Sequence, residues 1–342
     1  AMSSMGWSRW SAMRRSGLAH LLSVSGFHVA VVVSGVFFLL RRLFALWPWL
    51  VLRIPAMRLA AIGAGVAGTL YAVISGAEVP AVRSAIAAWV VLVAMMLGRD
   101  PVSLRLLAFA AMLILLLRPE AMLGASFQLS FAAVVALVLV AQSPPGRWLA
   151  DNRHYGLLLR APRLLALMLL TSLAIELALL PIALAHFGRT GVYGALANLL
   201  AIPLTSFVVM PLLGAWLLLA AMGLGGLLGW ALTPALQALA AIATQTAALP
   251  GSALVVPPLS DAACALLAAG GLLAALLAGR GRWLGAPLLA AGVALALLGP
   301  RPDIFVSGDG RQVGVAHGGQ LYLLRGHRGG YVVQSWAERV AA

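Results

Sequence analysis

Long continuous apolar runs, each about the 20 residues that a bilayer crossing requires, decide what this chain can fold into. A soluble fold has too little interior to hide them. Of the 342 residues 63% are hydrophobic and only 9% are charged, against roughly 25% charged in an ordinary soluble domain. A soluble enzyme, a disordered scaffold and a disulfide-stapled secreted domain are thereby excluded for the chain as a whole. A transmembrane barrel is excluded too, because its strands would be short segments of alternating polarity. The expected fold class is an all-α polytopic membrane protein.

About ten spans are expected, near 26–47, 57–76, 80–98, 102–118, 121–141, 163–187, 203–222, 227–249, 260–279 and 283–299. The stretch 190–202, with Gly191, Gly194 and Asn198 and with Pro203 just beyond, is too short to span and reads as a half-helix or re-entrant segment. The formal charge is +14, and all 23 basic residues are Arg. Many of them sit at span ends, where Arg sets topology; a polyanionic partner is the sharper reading of the same charge. Arg41, Arg42, Arg53 and Arg58, then Arg99 and Arg105, then Arg147, Arg153, Arg160 and Arg163, then Arg280 and Arg282 fall in alternate loops. Those loops belong in the cytoplasm by the positive-inside rule, which puts both chain ends outside. A single Cys264 allows no intrachain disulfide, and no cleavable signal peptide is expected in the Arg- and Trp-containing start. Three regions follow: an outer segment 1–16, a membrane domain 17–300 and an extracytoplasmic tail 301–342. In the tail, runs beginning at Asp303, Gln312 and Gln320 read as short strands separated by Gly-containing turns.

Polar groups inside apolar segments carry the functional information, because burying them is costly. His20, Ser23, Ser25, Gly26 and His28 interrupt the entry to the first span. The two His are either interfacial residues bonded to nearby carbonyls or the lining of a wet cavity. No Cys or carboxylate at ligand spacing turns them into a metal site, and no metal or cofactor is expected. Arg83 lies one turn into the third span, and Glu78 is its nearest acidic neighbour in sequence. The two read as a helix-start pair, or Arg83 faces a polar path. Ser126, Gln128 and Ser130 lie in the fifth span, with the two Ser on one face and suited to interhelical hydrogen bonds. Glu176 sits mid-span, either as a functional carboxylate or as a brace, neutral or paired with an Arg such as Arg83. Asn198 and Thr205 flank Pro203, and Gln237, Thr244 and Gln245 add polarity to the eighth span. A bundle enclosing a hydrated path fits this pattern. No phosphate loop, dinucleotide fingerprint or metallo-hydrolase signature is present, so no enzyme activity is expected.

Four words of the sequence then carry a resemblance. Gly17-Leu-Ala-His20-Leu-Leu-Ser23-Val-Ser25-Gly26-Phe-His28-Val resembles the motif that opens the competence domain of the ComEC family. Val79-Pro-Ala-Val-Arg83-Ser-Ala-Ile resembles its Pro-x-x-Arg-Ala segment, and Gly124-Ala-Ser126-Phe-Gln128-Leu-Ser130-Phe its Ser-Phe-Gln-Leu-Ser-Phe motif. Asn198-Leu-Leu-Ala-Ile-Pro203 resembles its Asn-Leu-x-x-Ile-Pro stretch. The words stand in the family's order and cover about residues 16–220; the first and third are the specific ones. The resemblance implies an inner-membrane channel passing single-stranded DNA into the cytoplasm during natural transformation. Full members of that family often carry an outer oligonucleotide-binding-like domain and a metallo-β-lactamase-like domain. This chain departs from that layout at both ends, and nuclease activity is not carried over to it.

The implied partners are single-stranded DNA and the lipid bilayer, with DNA-receptor proteins, a cytoplasmic helicase and a second copy of the chain as candidates. A conduit for one phosphate per nucleotide would use Arg and polar side chains and tolerate any base sequence. Arg83 and the His20/His28 entry are the expected lining. Two rival readings are a secondary transporter for a small anionic solute, which suits 190–202 and Glu176, and a non-catalytic assembly platform.

Overall fold

The computed structural model describes residues 12–13, 15–18, 26–151, 156–255, 259–277, 279–299, 302–307, 309–318, 320–325, 332–333, 336–337 and 340. His20, Ser23 and Ser25 lie outside the described residues. Helices dominate, as the apolar runs require. They are α1 (Gly26–Ala45), α2 (Pro48–Arg53), α3 (Ala56–Ile74), α4 (Val79–Met96), α5 (Leu104–Leu117), α6 (Ala125–Gln142), α7 (Pro144–Ala150) and α8 (Leu157–Phe187). After strand β1 (Arg189–Gly191) come α9 (Gly194–Leu204), a π turn (Thr205–Val209), α10 (Met210–Ala221) and α11 (Gly226–Ala247). Strand β2 (Ala253–Val255), α12 (Asp261–Leu276), α13 (Gly285–Leu298) and strands β3 (Ile304–Val306), β4 (Val313–His317) and β5 (Gln320–Arg325) complete the order.

Among the described residues, eight helical segments are long and apolar enough to cross a membrane. The protein is a helical membrane protein. The expected spans at 102–118 and 260–279 form shorter apolar helices, α5 of 14 residues and α12 of 16. The stretch expected to be re-entrant differs in form. Helix runs through Gly194–Ala221 without a break, so the piece at 190–202 and the expected span at 203–222 share one rod. Pro203, which has no N–H to give the preceding turn, sits inside that rod, and the π turn begins two residues later at Thr205.

The chain divides into two compact units, Ala1–Glu176 with Tyr193–Ser252, and Leu177–Val192 with Ala253–Ala342. In the first unit α1, α3 and α4 share a core of Val29, Val33, Ala61, Ala64, Ala81 and Leu92 among others. Lipid is as apolar as these side chains, so their association rests on close packing. Helix α3 is built for it: Gly68 lies under Val33 and Gly65 under the Trp89 ring, each so near that an added Cβ would stand 2.5 Å away. The Trp89 indole N–H is satisfied by Thr69 Oγ1 at 2.9 Å. A second core joins Met13 and Leu18 to Ala197 and Ala201 of α9 and to Leu239 and Ala243 of α11.

In the second unit α12 and α13 pair closely, and β1 pairs antiparallel with β2. The tail strands form an antiparallel sheet in the order β3-β4-β5, with Phe305 packed on Trp336 at a ring separation of 5.6 Å. The sequence reading places strands at β3, β4 and β5 but not at β1 or β2.

Candidate functional site

The described parts of the four sequence words meet in the first unit. Gly26 opens α1, and a Cβ there would come within 2.7 Å of Ser84 Oγ on α4. Ser84 is held by its own helix, donating to the Pro80 carbonyl at 2.7 Å. The first word thus abuts the second. One residue before Ser84, Arg83 is only 7% exposed, and its Nη2 donates to Ser126 Oγ on α6 at 3.0 Å. The second word is thus bonded to the third. Gly17, in a left-handed conformation at φ +76°, lies against Gly194 at the start of α9, where an added Cβ would sit 3.2 Å from the Gly194 Cα. Leu18, fully buried, packs in one core with Ala197 and Ala201. The first word therefore also touches the fourth.

Two expected pairings are replaced. Glu78 is exposed at the N-cap of α4 with no side-chain bond to the helix, and the partner of Arg83 is the Ser126 hydroxyl instead. A carboxylate two residues before Pro80 points off the helix start, while Arg83 lies a turn further on, facing α6. Nor does Glu176 pair with Arg83. Its two carboxylate oxygens accept the backbone N–H groups of Gly194 at 3.2 Å and Ala195 at 2.8 Å. Those amides open α9 and have no partner within it, and the positive end of the helix dipole favours the charge. Glycine at 194 leaves room for this contact, since a Cβ would come to 3.0 Å from Glu176 Oε1 and press the carboxylate back. Tyr193, just before, donates its hydroxyl to the Pro250 carbonyl at 3.0 Å and pins the same corner.

The other candidates fall nearby in sequence with plainer surroundings. His28 is half-buried in the first turn of α1, with its ring edge-on to Phe27 at 5.8 Å. Gln128 donates to the Met122 carbonyl at 3.0 Å, which ties α6 to the turn before it. Ser130 is half-buried one turn beyond Ser126. On α9 the Asn198 Oδ1 is buried with no hydrogen-bond partner among the described residues, and the same holds for Thr205 Oγ1 two turns along. Thr205 is 2% exposed. Both lie on the helix that Pro203 and the π turn distort, a feature often found at functional positions.

Chemically the junction is one-sided. Arg83 carries five donors and a full charge, and among the described residues one neutral hydroxyl answers them. The carboxylate that could neutralise it is engaged by backbone amides. Donors in excess over acceptors suit an anionic ligand, and among the described residues the junction contains no nucleophile–base pair. No group of three or more metal-ligating side chains occurs among the described residues. Gly17, Ser84 and Gly194 were missed as members of the site. The only signal for them is position: Gly17 opens the first word, Gly194 stands four residues before the fourth, and Ser84 follows the Arg.

A family model described as Competence protein matches residues 2–281. The chain is 32% identical over 206 residues to the uncharacterized protein YcaI of Escherichia coli, covering 59% of this chain and 25% of that protein. It is 25% identical over 205 residues to ComE operon protein 3 of Bacillus subtilis, covering 59% of this chain and 23% of that one. Against Competence protein ComA of Neisseria gonorrhoeae it is 39% identical over 132 residues, 38% of this chain and 18% of that one. The matched part is thus a quarter or less of each of these relatives. No solved structure matches.

Proposed function

The chain belongs to the competence protein family, and on that premise we propose that it is the inner-membrane channel part of a DNA-uptake machine, passing single-stranded DNA into the cytoplasm during natural transformation. The observation that carries this reading is Arg83, a buried cation bonded to Ser126 and, among the described residues, to no carboxylate. A cation left without a counter-charge in an apolar segment is costly unless an anion or water reaches it. A translocating single strand supplies one phosphate after another, and contact through the backbone tolerates any sequence.

In this reading Arg83 and Ser126 line the path, with Ser130 a turn beyond. The segment with His20, Ser23, Ser25, Gly26 and His28 forms the entry. Glu176 is a brace whose charge is absorbed by α9, which removes the difficulty of a carboxylate beside a phosphate path. Asn198 and Pro203 shape the distorted rod next to it, and Gln128 fixes the start of α6. Residues 17–300 form the conduit, both ends lie outside the cytoplasm, and a DNA receptor and a cytoplasmic helicase work on either side.

The test replaces the corresponding membrane segment of a competent host's own protein with residues 1–342 and counts transformants. The chimera restores transformation, and Arg83→Ala lowers it at least tenfold at an unchanged membrane level of the protein. Normal transformation with Arg83→Ala would remove Arg83 from the path. A second reading, transport of a small anionic solute, is favoured by the π turn after Pro203. It predicts anion flux into vesicles that competing single-stranded DNA does not inhibit.

A further inference from the structure

A second charged place in the first unit lies away from the motif junction. Helix α6 ends at Gln142, and Ser143 turns the chain: its hydroxyl donates to the Val140 carbonyl at 2.7 Å and accepts the Gly146 N–H at 3.1 Å. Gly146 is buried so tightly in that turn that a Cβ would overlap the Val140 carbonyl. Arg163 of α8 reaches back to close the corner. It is 9% exposed, donates to the Trp148 carbonyl and, at 3.0 Å, to the Asp151 carbonyl, and its guanidinium lies 4.3 Å from the Trp148 ring centre. A cation on the last carbonyls of α7 is the favourable arrangement for a helix C-terminus.

This fixed corner borders an open cavity of about 570 Å³ between α6, α7 and α8. Its walls are Leu137, Val140, Ala141 and Leu167; Arg147 and Asp151 line it from α7 and the residue after it. Thr171 adds no free donor, because its hydroxyl is spent on the Leu167 and Met168 carbonyls at 2.9 Å. The volume falls in the range of small-molecule sites, roughly 300–1,000 Å³. Apolar walls with an exposed Arg at the edge match an amphiphile with an anionic head. The stretch from the end of α6 into the first two turns of α8 carries Arg147, Arg153, Arg160 and Arg163 against a single acidic residue, Asp151. That excess suits the charge of an anionic leaflet.

We propose that this cavity is a binding site for one anionic phospholipid, with the phosphate at Arg147 and an acyl chain along Leu137, Val140, Ala141 and Leu167. The proposal is independent of DNA transport. Bulk lipid solvates any span, so the site is distinguished by selectivity for the anionic head and by sensitivity to the cavity.

The test uses the full chain purified in detergent, with phosphatidylglycerol, phosphatidylcholine or inorganic phosphate added, and reads retained lipid by native mass spectrometry together with thermal unfolding. Phosphatidylglycerol should be retained at least fivefold better than phosphatidylcholine and should raise the unfolding temperature. Arg147→Gln should abolish the preference, and Ala141→Phe should block retention by filling the cavity. If Ala141→Phe unfolds in lipid-free detergent, Leu137→Trp, at a side chain already 45% exposed, takes its place. Equal retention of the two lipids by the wild type would overturn the proposal. So would unchanged retention in the variants, or the same stabilisation from phosphate alone.

Discussion

Helices α12 and α13 touch through Gly270, Gly285 and Gly292, where an added Cβ would stand 2.8, 2.4 and 2.8 Å from its nearest neighbour. The nearest atoms there belong to backbone or to Leu and Ala side chains. Gly17, Gly26 and Gly194 make comparably close approaches in the first unit, at 3.2, 2.7 and 3.0 Å, but two of them approach Ser84 Oγ and Glu176 Oε1. Small residues serve both places by letting helices come together in lipid. What differs is the company. At α12–α13 close approach yields packing alone, the property of a scaffold. At the junction it brings amides to a carboxylate, and it sits beside an Arg whose partner is a hydroxyl. Close glycine contacts by themselves therefore do not single out a candidate site; the polar groups committed at the junction set it apart from α12–α13.

The comparison breaks first at Gly285. Gly285→Ala drives a Cβ into the Gly270 carbonyl and should cost about 3 kcal/mol, the upper part of the usual overpacking range. Thermal unfolding in detergent would read this, and uptake per folded molecule should stay as in the wild type. Glu176→Ala should cost about 1–2 kcal/mol, like the loss of a helix cap, by leaving the Gly194 and Ala195 amides bare. Unlike Gly285→Ala, it should lower uptake per folded molecule, and Glu176→Gln should recover part of the stability. Gly17→Ala should cost about 1 kcal/mol through the left-handed backbone and act in the same direction on uptake, more weakly. If Glu176→Ala and Gly285→Ala reduced uptake only in proportion to folded protein, the junction would be a scaffold like α12–α13.

The smallest effect is expected in the tail, where charge is held without burial. The exposed Asp309 carboxylate accepts Ser307 Oγ at 2.5 Å and the Arg311 N–H at 3.1 Å, and these bonds hold its pKa below the ordinary carboxylate value. A depressed folded value means that the turn gains stability above the unfolded pKa and loses it as pH falls through the folded one. Protection of the Arg311 amide relative to its intrinsic exchange rate should therefore fall under acid, and Asp309→Asn should flatten that dependence while leaving unfolding at neutral pH within experimental scatter.

Much of this was legible in the chain itself. Apolar length finds the helices but counts 102–118 and 260–279 as spans although they form shorter ones, and Pro203 with the glycines before it marks an irregular place without showing that the helix continues through it. An Arg and a Glu inside apolar runs announce themselves as Arg83 and Glu176. Their partners were not legible. Ser126 lies 43 residues from Arg83, and Gly194 lies 18 from Glu176. A spacing along the sequence says nothing about which helix faces which, so the sequence offers Glu78 for Arg83 and an Arg such as Arg83 for Glu176, and neither is the partner. Gly17 meeting Gly194 leaves no trace in either local pattern. Strands β1 and β2, three residues each, are too short to carry an alternation and exist because they pair.

The most direct test asks whether DNA touches the junction. A photoreactive benzoylphenylalanine is placed at position 126 in the chimeric protein, with a control at Leu116, a side chain 74% exposed on the apolar α5. Cells that still take up DNA are illuminated during uptake of labelled DNA. The account predicts a protein–DNA adduct at position 126 and none at 116. Continued uptake with no adduct at 126, or with equal adducts at both positions, would contradict it.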